Sequence, residues 1–354
     1  MKKSKVIILL SIFILICIGV INIYNAKYLN VLYKNYYIKQ IIWIFLSLII
    51  FYVLQKVNLR NIFKISYIFY IVNIILLILV LIIGKEINGT KGWLQIKGFS
   101  FQPSETMKLT LALFLININK VNERKSINIL KLIIITLIPS VLVFIEPDTG
   151  AVIFYLCILF IMLLSKNIKF KYYVYIILPP LVFFIVTIYL YKYKQDIFQK
   201  WLGKNFYYRL NRIFNYKDSY QMDMAITSIY GTSIIKNGFN NMLLYIPEGV
   251  TDFIYAYCIG NFGICNFFII NLLFIIIIYN LFDLIKINND KKTNYLIISF
   301  ITILFINLLI NILMNIGLIP IIGITLPFVS YGGTSILVYF MFLAIIFNLT
   351  NKDI

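Results

Sequence analysis

The chain has 354 residues, of which 62% are hydrophobic, and its 32 Lys and Arg against 13 Asp and Glu give a formal charge of +19. Its apolar runs of about 17–25 residues match the length needed to cross a hydrocarbon core, so we predict a polytopic membrane protein. Helices and short loops take up the length, which predicts one integral-membrane domain over 1–354 and excludes a separate soluble domain. The basic residues lie mainly in short loops, as topology signals and contacts with anionic membrane lipids do, and this argues against nucleic-acid binding.

The residue types present restrict the possible chemistry. The chain contains no histidine, which excludes Ser-His and Cys-His nucleophile pairs and removes the commonest metal ligand. Its four cysteines all fall inside apolar runs without CxxC spacing, so neither disulfides nor a zinc site is expected. Catalysis by this chain must therefore depend on carboxylates, Lys, Arg or Tyr.

The apolar runs predict an all-α polytopic fold with ten transmembrane helices and a long extracytoplasmic segment, about 191–251, between the seventh and eighth. The predicted spans are 5–25, 38–55, 66–83, 104–119, 129–145, 149–165, 172–190, 252–282, 295–314 and 330–349. No small-residue cleavage site follows the basic N-terminus, so the first span is expected to be retained. The basic loops satisfy the positive-inside rule when both termini are cytoplasmic, which places the 84–103 loop and the 315–330 stretch on the outer face.

Within the long segment, residues 196–214 predict an amphipathic helix. The apolar positions that recur at every fourth residue are Phe198, Leu202, Phe206, Leu210 and Phe214. Basic residues occupy the flanks of this apolar face. The helix is interpreted either as lying on the outer membrane surface or as packing on the helical bundle.

Charged residues near the membrane need an explanation, because a charge within a span is costly and is a candidate for a functional site. Lys108 lies about one turn into the fourth span, with Glu105 as its i−3 neighbour. It is interpreted as a functional cation or as a snorkelling lysine with a local ion pair. Glu146 and Asp148 flank Pro147 in a tight turn predicted between the fifth and sixth spans. Asp148 or Thr149 could cap the sixth helix. Asp148 could also pair with Lys108 across the bundle, and the two interpretations are compatible.

The last outer stretch is apolar but is interrupted by proline and glycine over residues 317–335. This sequence cannot form a regular helix, and broken backbone at membrane depth survives only where protein or a cavity satisfies it. We therefore expect the stretch to line a cavity that opens outward, with a plain loop as the alternative.

Two carboxylates, Glu248 and Asp252, lie at the mouth of the eighth predicted span. The predicted topology places them on the outer face together with Lys108 and Asp148, which favours a functional role for Asp252. In the alternative interpretation, Thr251 or Asp252 is only the N-cap of the eighth helix.

Five segments carry a family resemblance. They are 98–105 with Lys108, 146–150, 208–213, 247–248 with 251–253, and 326–333. In this order they closely resemble the SEDS family (shape, elongation, division and sporulation), the RodA, FtsW and SpoVE glycosyltransferases that polymerise peptidoglycan. Each motif alone is modest, but the resemblance spans nearly the whole chain.

The resemblance implies a substrate, lipid II, which is a disaccharide-pentapeptide on undecaprenyl diphosphate, used on the outer face of the bacterial cytoplasmic membrane. It also implies a class B penicillin-binding protein as partner. Asp252 matches the family's essential aspartate and would deprotonate the 4-hydroxyl of the acceptor sugar. The residues implied in binding the substrate and its diphosphate are Lys108, Arg209, Arg212, Lys236 and Glu248. The residues implied in shaping the cavity are Glu105, Asp148, Trp93, Pro327, Ser330, Gly332 and Gly333.

The chain departs from the family pattern at several outer positions. Gly92, beside Lys91, stands where the family usually has Arg, and Val250 stands where it has His. Gly260 and Asn261 replace the usual acidic pair. These departures suggest a divergent or specialised member with reduced activity as one hypothesis.

Two other functions stay open at this point. A transporter (flippase) of the lipid-linked precursor needs the same cavity but no base, and a non-catalytic scaffold needs only the span contacts. A role in elongation, division or sporulation is equally open. No ligand set with defined spacing predicts a metal site, although the carboxylates could hold a divalent cation.

Overall fold

The computed structural model describes residues 2–59, 61–87, 90–96, 99–119, 126–165, 182, 185–203, 207, 210, 211, 214, 216, 219–235 and 245–351. The first helices are α1 (Lys2–Ala26), α2 (Tyr36–Lys56), α3 (Ile62–Ile83), α4 (Pro103–Ile118), α5 (Ser126–Ile145) and α6 (Thr149–Leu164). The later helices are α7 (Gln195–Leu202), α8 (Tyr220–Tyr230), α9 (Ile254–Phe262), α10 (Cys265–Ile287), α11 (Lys291–Asn315) and α12 (Gly333–Thr350). A 3-10 turn, Val31–Tyr33, precedes α2.

Seven helices among the described residues are long and apolar enough to cross a membrane: α1, α2 with its preceding turn, α3, α5, α10, α11 and α12. The chain is therefore a multi-pass helical membrane protein, as its composition predicts. The count of ten spans is not confirmed. Helices α4 and α6 have 16 residues each, and most of the seventh predicted span, 172–190, lies outside the described residues.

The eighth predicted span, 252–282, is wrong as a single helix, because the chain forms α9 and α10 there. The break is at Gly263, whose φ of +90° lies in the left-handed region that favours glycine. A Cβ at Gly263 would lie 2.5 Å from the carbonyl oxygen of Ile234, so another backbone segment crosses the break in direct contact. The N–H of Ile264 donates to the oxygen of Ser233 at this crossing (3.1 Å).

The 84–103 loop contains the three described strands. They are β1 (Lys85–Ile87), β2 (Thr90–Ile96) and β3 (Phe99–Phe101), in an antiparallel sheet of that order. Leu94 pairs with Phe101 and Ile96 with Phe99, and the aromatic and β-branched residues of this loop favour strands. The fold is mostly helical, as predicted, and one small sheet lies between α3 and α4.

The amphipathic helix predicted over 196–214 is wrong as one continuous helix. Helix α7 ends at Leu202, and Gly203 follows with φ +85° and ψ 156°, a conformation that an α-helix does not contain. Phe198, on the predicted apolar face, is fully buried against Tyr191. The short helix therefore packs one aromatic side chain against the preceding segment.

Residues 316–332, which we call the broken stretch, connect α11 to α12 without forming a helix, as predicted. Gln40 of α2 binds this stretch through both ends of its side-chain amide. It donates to the carbonyl oxygen of Ser330 (3.1 Å) and accepts from the N–H of Gly332 (3.2 Å). Buried backbone polar groups need such partners, so α2 fixes the position of the broken stretch.

Candidate active site

The turn that precedes α9, residues 246–253, carries two predicted carboxylates, and we call it the Asp252 turn. The N–H groups of Thr251 and Phe253 both donate to the carbonyl oxygen of Glu248, at 3.1 and 3.0 Å. Glu248 adopts a φ of +56°, which costs about 1–3 kcal/mol in a residue other than glycine and needs surrounding contacts to hold it. Phe253 occupies the N-cap position of α9, so the capping interpretation of Thr251 or Asp252 is wrong.

The broken stretch binds the backbone of the Asp252 turn. The N–H of Tyr331 donates to the carbonyl oxygen of Val250 (2.8 Å). The Ser330 hydroxyl donates to the oxygen of Thr251 (2.6 Å) and accepts from the N–H of Leu326 (2.8 Å). Ser330 therefore ties the two irregular segments together at the residue before Asp252.

Two asparagines of α11 hold the next peptide unit. The side-chain amide of Asn311 donates to the carbonyl oxygens of Asp252 (2.9 Å) and Ile324 (2.8 Å). The amide of Asn315 donates to the same Asp252 oxygen (3.1 Å) and accepts from the N–H of Ala256 in α9 (2.9 Å). Both asparagines are fully buried, so these hydrogen bonds are shielded from water and fix the backbone of Asp252.

The carboxylate of Asp252 accepts no hydrogen bond from the described residues, although its backbone is held on several sides. It is half-buried, and a Cβ at Gly323 would lie 3.8 Å from its Oδ2. Burial first, and then the charges of Glu248 and Asp148, raise the pKa of Asp252 to about 7. A carboxylate with a pKa near neutral pH is suited to accept a proton from a substrate.

The turn between α5 and α6, residues 146–148, carries another acidic pair, and we call it the α5–α6 turn. Asp148 accepts a hydrogen bond from the N–H of Ala151 (3.1 Å) and caps α6, as predicted. Its second oxygen accepts from the Gln102 amide (3.0 Å) and the Ser104 hydroxyl (2.8 Å). The Asp148 carboxylate therefore joins the start of α4 to the start of α6.

Lys108 is buried in α4 and is neutralised by its neighbour. Its Nζ lies 2.7 Å from Glu105 Oε1 and 4.3 Å from the centre of the Phe154 ring, and the side chain is 2% exposed. The local ion pair is confirmed, but the lysine does not snorkel to water. The predicted pair between Lys108 and Asp148 is wrong, because Glu105 takes the lysine's charge and neutral donors bind Asp148.

Glu146, beside Asp148, has no such partners. The side chain is fully buried, and neither carboxylate oxygen has a hydrogen-bond partner among the described residues. Burial and then the charge of Asp148 raise the pKa of Glu146 to about 8. A Cβ at Gly92 would lie 3.7 Å from Glu146 Oε2. Lys91 does not supply the missing charge, since its Nζ donates to the carbonyl oxygen of Leu81 at 2.8 Å.

The other predicted site residues have different positions. Arg209, Arg212 and Lys236 lie outside the described residues. Trp93 is half-buried on β2, and Pro327 is buried in the broken stretch. Gly333 lets α2 approach α12, because a Cβ there would lie 2.1 Å from the Trp43 indole. Of the predicted cavity residues, Ser330 makes the most direct contact with the Asp252 turn.

Gly260 and Asn261, the two α9 positions that the sequence analysis interprets as departures from the family pattern, lie at close helix contacts. A Cβ at Gly260 would lie 1.9 Å from the Ser228 hydroxyl of α8, so glycine permits this crossing. The Asn261 amide donates to Asn22 of α1 (3.0 Å). Val250 is fully buried. A neutral pair at Gly260 and Asn261 therefore packs α9 between its neighbours.

Sequence reasoning missed four residues that hold the two acidic turns: Gln102, Ser104, Asn311 and Asn315. The available signal was a row of amides at i, i+4 spacing in α11, which also includes Asn307. Polar side chains inside an apolar helix are expected to face protein and to find partners there.

A family model and two named relatives match nearly the whole chain. The FtsW/RodA/SpoVE family model, described as "Cell cycle protein", matches residues 5–353. The "Probable peptidoglycan glycosyltransferase FtsW" of Wigglesworthia glossinidia brevipalpis is 30% identical over 362 residues, which cover 94% of this chain and 91% of the relative. The protein of the same name from Acinetobacter baylyi is 28% identical over 94% of this chain and 86% of its own length.

Solved structures share the fold. A chain from a structure of a peptidoglycan synthase complex, which concerns the coordination of polymerization and crosslinking, superposes with a TM-score of 0.78. It is 21% identical, over 98% of this chain and 97% of that chain. The rod shape determining protein RodA of Thermus thermophilus gives a TM-score of 0.71 at 20% identity, over 98% and 96% of the two chains. With the family model matched almost end to end, the chain belongs to the FtsW/RodA/SpoVE family.

Proposed function

We propose that this chain is a peptidoglycan glycosyltransferase that polymerises lipid II on the outer face of the bacterial cytoplasmic membrane. The observation that supports this most strongly is Asp252, whose backbone is fixed by α11 and the broken stretch while its carboxylate is left to accept a proton. Its relatives named as probable peptidoglycan glycosyltransferases agree with such a role.

In the proposed reaction, Asp252 accepts the proton of the acceptor sugar's 4-hydroxyl as that oxygen attacks the anomeric carbon of the donor. The bond from that carbon to the diphosphate breaks, and undecaprenyl diphosphate leaves with the electron pair. Arg209, Arg212 and Lys236 are our candidates to bind its charge. Lys108 is already paired with Glu105, so we assign it to holding α4 and not to the diphosphate.

The proposed setting follows from the charge distribution. Both termini are cytoplasmic in this arrangement, because the basic loops then satisfy the positive-inside rule. A class B penicillin-binding protein is the proposed partner and supplies the crosslinking activity. A transporter of lipid II and a non-catalytic scaffold are the competing functions, and neither requires a base at Asp252.

The test is gel-resolved glycan chain formation from labelled lipid II by the purified chain, with and without a class B penicillin-binding protein. Asp252→Asn should reduce the rate by about 10²–10⁴-fold, the usual contribution of a positioned base, and should elute and unfold like the parent chain. Asp283→Asn is the matched control, because it also neutralises an aspartate but in an ion pair with Lys286 on α10.

Polymerisation by a folded Asp252→Asn chain at the parent rate would refute the assignment of the base. Lipid II movement across vesicles without any polymer from the parent chain would favour the transporter. If the parent chain neither polymerises nor moves lipid II but still binds the penicillin-binding protein, that result would favour the scaffold.

A further inference from the structure

A groove lies between α3 and α5, outside the candidate active site. Its volume is about 470 Å³, well above the roughly 30 Å³ that one water molecule occupies in the liquid. The described residues that line it are all apolar: Ile74, Ile78, Ile134, Leu137, Ile138, Val141 and Leu142. Because α3 and α5 are both apolar enough to cross a membrane, the groove lies at membrane depth, where hydrocarbon and not water surrounds the chain.

The local chemistry of α5 explains why a groove forms here. Pro139 stands inside this helix and has no N–H to donate to the carbonyl oxygen of Ile135, four residues earlier. The Tyr70 hydroxyl of α3 donates to that oxygen instead, at 2.8 Å. The two helices are therefore joined at Tyr70, and the groove lies along the part of α5 that surrounds the proline, where a helix is expected to bend.

The shape of the groove suits a single hydrocarbon chain. Its α5 wall runs from Ile134 to Leu142, which is roughly 12 Å at 1.5 Å per residue. Its α3 wall is one row of side chains, Ile74 and Ile78, which lie one turn apart on the same face. A long, narrow groove without polar lining residues in the described chain fits a lipid tail and not a compact polar ligand.

Strand β2 crosses the end of the groove that lies nearest the sheet, and it supplies a cation there. The Lys91 ammonium donates to the carbonyl oxygens of Leu81 (2.8 Å) and Ile82 (3.1 Å), at the end of α3. A Cβ on the next residue, Gly92, would lie 3.7 Å from Glu146, just after α5. An ammonium has three donors, and Lys91 uses two of them on α3. The third can bind a phosphate oxygen of a lipid whose tail lies in the groove.

We propose that this groove binds the polyprenyl chain of the lipid-linked substrate, with Lys91 at its diphosphate. The identity of this lipid rests on the proposed function. The groove accommodates one chain, whereas a membrane phospholipid would leave its second chain outside. The groove also ends at the α5–α6 turn, whose Asp148 acts electrostatically on Asp252. A lipid held there keeps its diphosphate on the side of the bundle where the proposed base lies.

The test is native mass spectrometry of the purified chain in detergent, titrated with undecaprenyl diphosphate and, separately, with phosphatidylglycerol. The parent chain should bind one undecaprenyl diphosphate more tightly than phosphatidylglycerol. Ile138→Trp, which fills the groove, should bind undecaprenyl diphosphate at least about tenfold more weakly, because a factor of ten corresponds to roughly two buried methylene groups. Ile78→Trp should have the same effect from the opposite wall.

Lys91→Gln tests the cation separately from the groove. It should weaken binding of undecaprenyl diphosphate by about tenfold, as expected for a hydrogen bond to a charged group. Binding of undecaprenol, which has the same chain and no phosphate, should stay at the parent value. Equal losses for the two lipids would overturn the assignment of Lys91 to the diphosphate.

Ile269→Trp on α10 is the matched control for Ile138→Trp, because both isoleucines are 44% exposed and only Ile138 of the two lines the groove. It should bind both lipids like the parent, and an equal loss there would overturn the proposal. Equal binding of the two lipids by the parent chain, or unchanged binding by folded Ile138→Trp and Ile78→Trp, would overturn it as well. Undecaprenyl diphosphate binding that both groove variants weaken, in a parent chain that makes no polymer, would support the groove while refuting the proposed function.

Discussion

The Asp252 turn and the α5–α6 turn each carry two acidic residues, but the chain holds them in opposite ways. In the Asp252 turn, α11 and the broken stretch bind backbone carbonyls and supply no described donor to the Asp252 carboxylate. In the α5–α6 turn, three donors bind the Asp148 carboxylate itself. Hydrogen bonds therefore occupy lone pairs of the Asp148 carboxylate, whereas a carboxylate held only through its backbone keeps its lone pairs for a substrate.

Whether hydrogen bonds reach the carboxylate or only the backbone distinguishes an acid that holds the fold from an acid that can react, and it does so more clearly than burial. Glu146 and Asp148 are neighbours in sequence, yet only Asp148 is satisfied. Asp252 is half-buried and its backbone is fixed. The comparison therefore predicts that substitutions of Asn311 and Asn315, which bind Asp252, change activity, whereas substitutions around Asp148 change stability.

The largest effect is expected from Asn315→Leu, which removes the amide that joins Asp252 to Ala256. Because a displacement of about 1 Å at a reacting group can cost about 10²-fold, the polymerisation rate should fall by about that factor. KM should change little, since Asn315 is buried behind the turn. Steady-state rates against lipid II concentration measure both quantities.

Asn307→Leu is the matched control for Asn315→Leu. Asn307 is equally buried two turns earlier in α11, and its amide donates to Ile303 of the same helix. It should lower the Tm without the loss of rate. Equal losses of rate in both variants would show that α11 contributes only stability.

A smaller effect, on stability, is expected from Asp148→Ala. The change leaves the buried Ser104 hydroxyl and the Gln102 amide without their acceptor, and each unpaired group costs about 1–3 kcal/mol. It also removes the α6 cap, worth about 1 kcal/mol. Asp148→Asn keeps an acceptor for the cap and should recover part of the Tm in a thermal unfolding measurement. Equal Tm values for the two variants would contradict the capping role.

The elements predicted from sequence were those with a local signal. Long apolar runs predicted α1, α2, α3 and α11, and the 146–148 acids and proline predicted the tight turn. The break at Gly263 was missed because it depends on a distant segment that contacts the glycine. The 84–103 sheet was missed because its short strands lie between two strong helical patterns.

The acidic residues of the candidate site could be predicted from the sequence, but the residues that bind them could not. The motif containing Asp252 and the capping position of Asp148 were both read from local sequence. The choice of Glu105 over Asp148 as the partner of Lys108 was not, because α4 and the α5–α6 turn meet only in the folded chain. Asn311 lies 59 residues from Asp252, so its hydrogen bond has no local signature.

The smallest expected effect is a shift of the pH profile in Glu248→Gln. Asp252 must be ionised to accept a proton, so the polymerisation rate should rise with pH through its pKa of about 7. The charge of Glu248 contributes to raising this pKa, after burial. The substituted glutamine is neutral, but its side-chain oxygen could still accept the Thr251 hydroxyl, as the Glu248 carboxylate does at 2.7 Å.

The rise of the polymerisation rate with pH should therefore occur at lower pH in Glu248→Gln. This shift should be smaller than the part of the increase in the Asp252 pKa that burial causes. The plateau at high pH should stay near the parent value. Stability follows the same group: because the folded pKa lies above the ordinary 3.8, the stability that protonated Asp252 contributes is lost as pH rises through about 7. As the pH rises through about 7, the Tm of Glu248→Gln should fall less than the Tm of the parent chain, because its ionised Asp252 no longer faces the charge of Glu248. An unmoved acidic limb with an unchanged plateau would show that a group other than Asp252 controls the rate.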